Sequence, residues 1–164
     1  MSRFFEDIQP GDELVFGSYT FEAGDIIRFA AKYDPQPFHL SDAEAAKTHF
    51  GQLCASGWHT AAIYMKLQVA KAKELRAKRI AQGLPVAELG PSPGFDDLKW
   101  IRPVFAGDTV TYRSTITAKT ESKSRPRWGL IHAENHGTNQ KGKAVLFFKS
   151  TVFVERRATL RATA

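Results

Sequence analysis

The chain has 164 residues, of which 43% are hydrophobic and 24% charged, and it carries a net charge of +6. That length suits one domain with its own core, and the composition sets intrinsic disorder aside. Cys54 is the only cysteine, which rules out an intramolecular disulfide, while the positive charge favours anionic partners without choosing among them.

The first residues turn acidic at Glu6 and Asp7 before any apolar run develops, unlike a signal peptide. No uncharged stretch reaches the ~20 apolar residues that a membrane helix needs. A soluble, cytoplasmic protein is expected, as one domain over residues 1–155 followed by a polar, frayed tail over 156–164. In chain order, Glu13 to Tyr19 alternates as a short strand. Thr20 is placed to cap a helix running from Glu22 to Tyr33, which Pro35 ends. Asp34-Pro35-Gln36-Pro37-Phe38-His39 reads as a stiff extended loop, and Ser41 to Glu44 as a capping box opening a short helix to about His49. From Gly57 a long helix begins that is apolar on nearly all sides as far as Leu67, the mark of a buried helix, and turns charged from Lys71 onward.

After a Pro/Gly-rich connection over 83–94, the chain reads as strands. Leu98 to Val104 is the first. Thr109 to Lys119 is the second, with Val110, Tyr112, Ile116 and Ala118 on one face. Trp128 to Thr138 and Lys143 to Glu155 follow. A helical half and an antiparallel half make the fold class α+β.

The sharpest chemical feature is the pairing of Asp34 and His39 across two prolines. The stiff connection can aim a carboxylate and an imidazole at one point, which suits general acid–base work. A second feature is Cys54-Ala55-Ser56-Gly57-Trp58 at the start of the long helix. The first N–H groups of a helix lack internal partners and can face an oxyanion. Gly57 would let a carbonyl approach the backbone.

The residues Asp25-Ile26 through Phe29-Ala30, Tyr33-Asp34-Pro35-Gln36-Pro37-Phe38-His39, Phe50-Gly51, Ala55-Ser56-Gly57, Trp100-Ile101-Arg102-Pro103-Val104 and Gly107-Asp108 together resemble the MaoC-like dehydratase family, which includes the R-specific enoyl-CoA hydratases. The resemblance runs from about Phe5 to Val154. It implies a hot-dog fold, in which a curved antiparallel sheet wraps a long buried central helix, and pairing into a homodimer or higher oligomer. It also implies reversible syn addition of water to an enoyl-CoA. Asp34 and His39 would hold the water and the Gly57 amide would polarise the thioester carbonyl. Gln36, Phe38, Ser56 and Trp58 flank these groups as candidate substrate contacts. Coenzyme A enters as part of the acyl-CoA substrate, so no separate cofactor is implied. The family usually carries Asn where this chain has Gln36, and often His where it has Ser56.

Other readings stand beside these. Asp34 also suits a turn residue that caps the backbone, His39 a structural histidine beside Ser41, and Ser56 a helix N-cap. His39, His49 and His59 match no metal-ligand spacing, so no metal is expected. Cys54 reads as a small buried hydrophobe. His132 and His136 read as partly exposed residues on one strand face. Lys119, Lys123, Arg125 and Arg127 read as a solvated hairpin, with contact to coenzyme A phosphates as the alternative. The scattered positives do not form a nucleic-acid surface. An acyl-CoA thioesterase and a non-catalytic acyl-thioester-binding subunit are the rival functions.

Overall fold

The computed structural model describes residues 2–157. Its frame is a five-stranded antiparallel sheet in the order β1-β3-β4-β5-β2, made of β1 (Glu13–Thr20), β2 (Gly94–Trp100), β3 (Thr109–Glu121), β4 (Trp128–Asn139) and β5 (Ala144–Glu155). Between β1 and β2 lie α1 (Ala23–Tyr33), the single turns α2 (Pro37–Leu40) and α3 (Asp42–Ala45), and the long α4 (Gly57–Ala81). This is the expected α+β hot-dog arrangement, with α4 laid against one face of the sheet. No helix among the described residues is long and apolar enough to cross a membrane.

Strand alternation fixes that face. On β3, Val110, Tyr112, Ser114 and Ile116 point inward, and on β4 the inward set includes Ile131, Ala133 and Asn135. Val110 and Tyr112 meet Phe16, Phe21, Ile26, Ile63 and Tyr64 in the main core, while Ile116, Ile131 and Ala133 join Phe5, Ile8 and Val154 in a second cluster. His132 and His136 alternate with the inward set and are half-exposed, as expected. Ala118 does not follow the expected face. A register shift between Ile116 and Ala118 inserts an extra residue and leaves Ala118 exposed. The core also holds polar groups that satisfy one another. The Tyr64 hydroxyl donates to Asn135 Oδ1 at 2.5 Å, and Asn135 Nδ2 donates to Ser150 Oγ at 2.9 Å.

Several boundaries differ from expectation. Thr20 does not cap α1, because its hydroxyl bonds Thr109 across the sheet at 2.8 Å; Glu22 stands at the N-cap with no side-chain cap. The Asp34–His39 segment is not extended throughout, since Pro37 at the first helical position nucleates α2 and carries His39 into it. The Ser41 cap is as expected, accepting from the Glu44 amide, but the helix it opens stops at Ala45. The strand expected over Leu98 to Val104 lies earlier, at Gly94–Trp100. Arg102 and Pro103 leave the ladder, and Phe105 forms an isolated bridge with Cys54.

The long helix is less enclosed than its sequence suggests. His59, Thr60, Ile63 and Tyr64 are buried, but Met65 is 51% and Val69 45% exposed. One sheet covers one side of a helix, and the apolar residues on the other side lie open. The predicted switch to exposed charge from Lys71 onward is observed, and Lys71 pairs with Glu74 at 3.0 Å. Lys123, Arg125 and Arg127 are exposed, as expected of a solvated hairpin, while Lys119 is partly buried and Arg127 is also paired. Lys119 Nζ donates to the carbonyls of Phe5 and Ile8 at 3.2 and 2.8 Å, and Arg127 bridges Glu88 and Glu155 at 2.7 and 2.9 Å. Arg156 and Arg157, expected to begin the frayed tail, are held by Glu121 and Asp7 at 2.8 and 2.6 Å. The remainder of that tail lies outside the described residues.

Candidate active site

Three backbone features bring the chemical groups together. Asp34 caps the C-terminus of α1, where its amide donates to the Ala30 carbonyl at 2.9 Å. The prolines that follow turn the chain so that α2 returns His39 toward Asp34. The segment Leu53-Cys54-Ala55 is then drawn alongside by the Ala55 amide, which donates to the Val104 carbonyl at 2.7 Å, and by the Cys54–Phe105 bridge. This delivers Ser56 and the first turn of α4 to the same place.

The Asp34–His39 pair has a definite polarity. His39 is buried, and its Nδ1 lies 2.7 Å from the Cys54 carbonyl oxygen. A carbonyl only accepts, so Nδ1 carries a hydrogen, and the neutral tautomer that this selects has its lone pair on Nε2. That Nε2 lies 3.5 Å from Asp34 Oδ2. Two acceptors facing each other need a donor between them. A water molecule, or a hydroxyl of a bound ligand, meets that need.

Asp34 is set up to stay ionised. Burial pushes its carboxyl up, but the hydrogen bonds from Ser56 and Gln36 outweigh it and hold the group below its ordinary 3.8. Ser56 Oγ donates to Oδ2 at 2.7 Å and Gln36 Nε2 donates to Oδ1 at 2.8 Å. Ser56 Oγ also accepts from the Trp58 amide at 3.2 Å, the N-cap bond expected of it. With both functions of the hydroxyl in use, Ser56 is a positioning group rather than a nucleophile. Gln36 takes up the carboxylate directly despite its extra methylene. Cys54 lies 3.7 Å from His39 Nδ1, yet burial pushes its thiol up to about 11, so it stays protonated and inert.

The pair opens on a cleft of about 390 Å³. Gly57, the first residue of α4, lies in its wall, and its amide has no hydrogen-bond partner among the described residues. Phe38 packs on His39 and Phe50 with ring centroids 4.5 and 5.0 Å apart, and Trp58 stands at the rim, 52% exposed. All seven residues singled out by sequence thus gather here: Asp34, Gln36, Phe38, His39, Gly57 and Trp58 in the lining, and Ser56 behind Asp34. Sequence reasoning missed the opposite wall, formed by Trp100, Ile101, Arg102, Pro103 and Val104 with Val145. The signal was Pro103, which takes this run out of the ladder and so lets it line a cleft.

The three histidines weighed as metal ligands do not meet. His59 is buried in an aromatic box, stacked on Phe29 at 4.5 Å and edge-on to Phe21 at 5.0 Å. Burial pushes it down to about 4, and its Nδ1 has no partner among the described residues. His49 instead packs on Phe50 at 3.9 Å.

Comparison with known proteins shows the fold and the family. A solved MaoC-like dehydratase from Rhodospirillum rubrum is 36% identical and superimposes with a TM-score of 0.77 over 94% of this chain and 98% of that one. The R-hydratase PhaJ1 of Pseudomonas aeruginosa, 23% identical over 95% of this chain and 88% of that one, shares the fold with a TM-score of 0.66. A mesaconyl-CoA hydratase of Cereibacter sphaeroides is 28% identical over 96% of this chain, which spans only 42% of that protein's length. The model of the MaoC like domain matches residues 7–133. The chain belongs to the MaoC-like dehydratase family.

Proposed function

We propose that the protein hydrates an enoyl-CoA thioester, and dehydrates the 3-hydroxyacyl product in reverse. One observation carries this reading: Asp34 Oδ2 and His39 Nε2 face each other as acceptors 3.5 Å apart, at the edge of a cleft that also holds the free Gly57 amide. A water donating one hydrogen to each is held with its oxygen ready to attack. The thioester carbonyl accepts from the Gly57 N–H, where the partial positive charge of a helix start stabilises the enolate. As the water oxygen bonds C3, one O–H bond breaks and its proton passes to the Asp34–His39 pair. The electron pair of the C2–C3 double bond moves onto the carbonyl oxygen and returns as C2 takes a proton from the pair. Atoms and charge balance without a further reactant. Arg102 lies in the cleft lining, where a cation suits the phosphates of coenzyme A.

Crotonyl-CoA provides the test. Loss of the conjugated enone absorbance without thiol release supports hydration. Release of free thiol makes the protein a thioesterase, and binding without either change makes it a carrier or partner subunit.

The active assembly we propose is a homodimer. β2 is an edge of the sheet with an unpaired side, and pairing with the β2 strand of a second copy would cover it. Sedimentation equilibrium should give twice the chain mass; a monomer at micromolar concentration would rule this out.

A further inference from the structure

Two hollows follow one another along α4. The cleft described above is bounded on the helix by Gly57, Trp58 and Thr60. A larger groove of about 550 Å³ is bounded further along by Tyr64, Met65 and Gln68, and from the sheet by Phe95 of β2 and Phe148 of β5. Among the described residues no Asp, Glu, His, Lys, Arg or Cys lines that groove, so it offers mainly apolar surface. No residue lines both hollows, although α4, β2 and β5 contribute to each.

Trp100 lines the cleft and belongs to β2, the strand whose Phe95 lines the groove. It is the last residue of β2 and pairs with Leu146 of β5, so its backbone is held by the sheet. Its indole packs against Gly57, so close that a Cβ at that position would clash with the ring. It also meets Trp58 edge-on, with centroids 5.1 Å apart. One side chain therefore crosses from the sheet to the first turn of the helix.

We propose that Trp100 is the specificity-determining stop at the acyl end of the cleft. It confines the thioester to short acyl groups and keeps the chain out of the apolar groove along α4. This rests on the hydration reading, because the acyl group is placed by its carbonyl on Gly57. With the carbonyl there, a chain longer than a few carbons runs into the indole. A small residue at position 100 would let it continue over Tyr64 and Met65.

The experiment compares kcat/KM for crotonyl-CoA and octenoyl-CoA in the wild type, Trp100→Ala, and Trp100→Ala combined with Met65→Trp, which refills the groove. The wild type should prefer crotonyl-CoA. Trp100→Ala should move the ratio toward octenoyl-CoA by about tenfold or more, and the double variant should move it back. A wild type that takes both substrates equally overturns the proposal, as does a folded Trp100→Ala that keeps the wild-type ratio. If Trp100→Ala does not fold, by its melting curve, Trp100→Leu replaces it. A wild type inert to both substrates sinks the hydration reading instead. Calorimetric titration with butyryl-CoA and octanoyl-CoA then still decides the role of Trp100. Selective tightening of octanoyl-CoA in the variant supports the stop, and unchanged selectivity overturns it.

Discussion

Asp34 shows how a single side chain is prepared by its neighbours. Its position after α1 follows from Pro35, but its ionisation depends on Ser56 and Gln36, which hold one carboxylate oxygen each. Asp34→Asn keeps an oxygen for Ser56 while removing the charge and the proton acceptor. Hydration should fall by about two to four orders of magnitude, the usual share of positioned acid–base catalysis, with melting nearly unchanged. A variant with full turnover would remove Asp34 from the mechanism. Ser56→Ala makes a different prediction. It removes a bond that lowers the Asp34 pKa, so the acid limb of the pH–rate profile should move to higher pH. It also removes the α4 cap, which should cost about 1 kcal/mol in denaturant unfolding. An unmoved acid limb would separate Ser56 from Asp34. The pairing of Asp34 with His39 and the Ser56 cap were legible in sequence, because both depend on residues close along the chain. The hydrogen bond between Ser56 and Asp34 was not, since it joins residues 22 positions apart.

At the scale of elements, α4 sets both stability and site. Its first turn supplies Gly57, while one further turn on it anchors to the sheet through Tyr64 and Asn135. Tyr64→Phe leaves the Asn135 oxygen buried and unpaired. Unfolding free energy should drop by about 1–3 kcal/mol, with the chain-length preference for thioesters unchanged. A loss well below that range would mean that water or Ser114 takes over the bond. The apolar run over 57–67 was readable as a helix, yet not as a helix exposed along one side. Periodicity reports which residues are apolar, and the extent of the sheet decides how many of them find cover. The same limit explains Ala118, whose expected inward position was undone by a bulge that no local pattern announces.

At the scale of the whole molecule, His59 ties stability to pH. In the folded protein burial lowers its pKa from 6.5 to about 4, so the native state keeps it neutral while the unfolded chain takes up a proton. The unfolded state binds more protons over that interval. Stability should therefore be full above 6.5, fall as the pH drops toward 4, and lose this dependence below it. Denaturant unfolding across the interval checks this, and His59→Leu should flatten the slope. An unchanged slope would show that His59 is hydrated in its aromatic box.

The sequence alone settled what short-range chemistry controls. That comprises the order of helices and strands, the turn that pairs Asp34 with His39, the cap at Ser56, and the family pattern in which they sit. Tertiary structure decided the rest: the far wall at Trp100 to Val104, the direction of the His39 lone pair set by the Cys54 carbonyl, and the exposed side of α4. The physical reason is that local elements form through bonds between near neighbours. A cleft and its polarity arise only when distant segments close on one another, and their contacts leave no periodic trace in the chain.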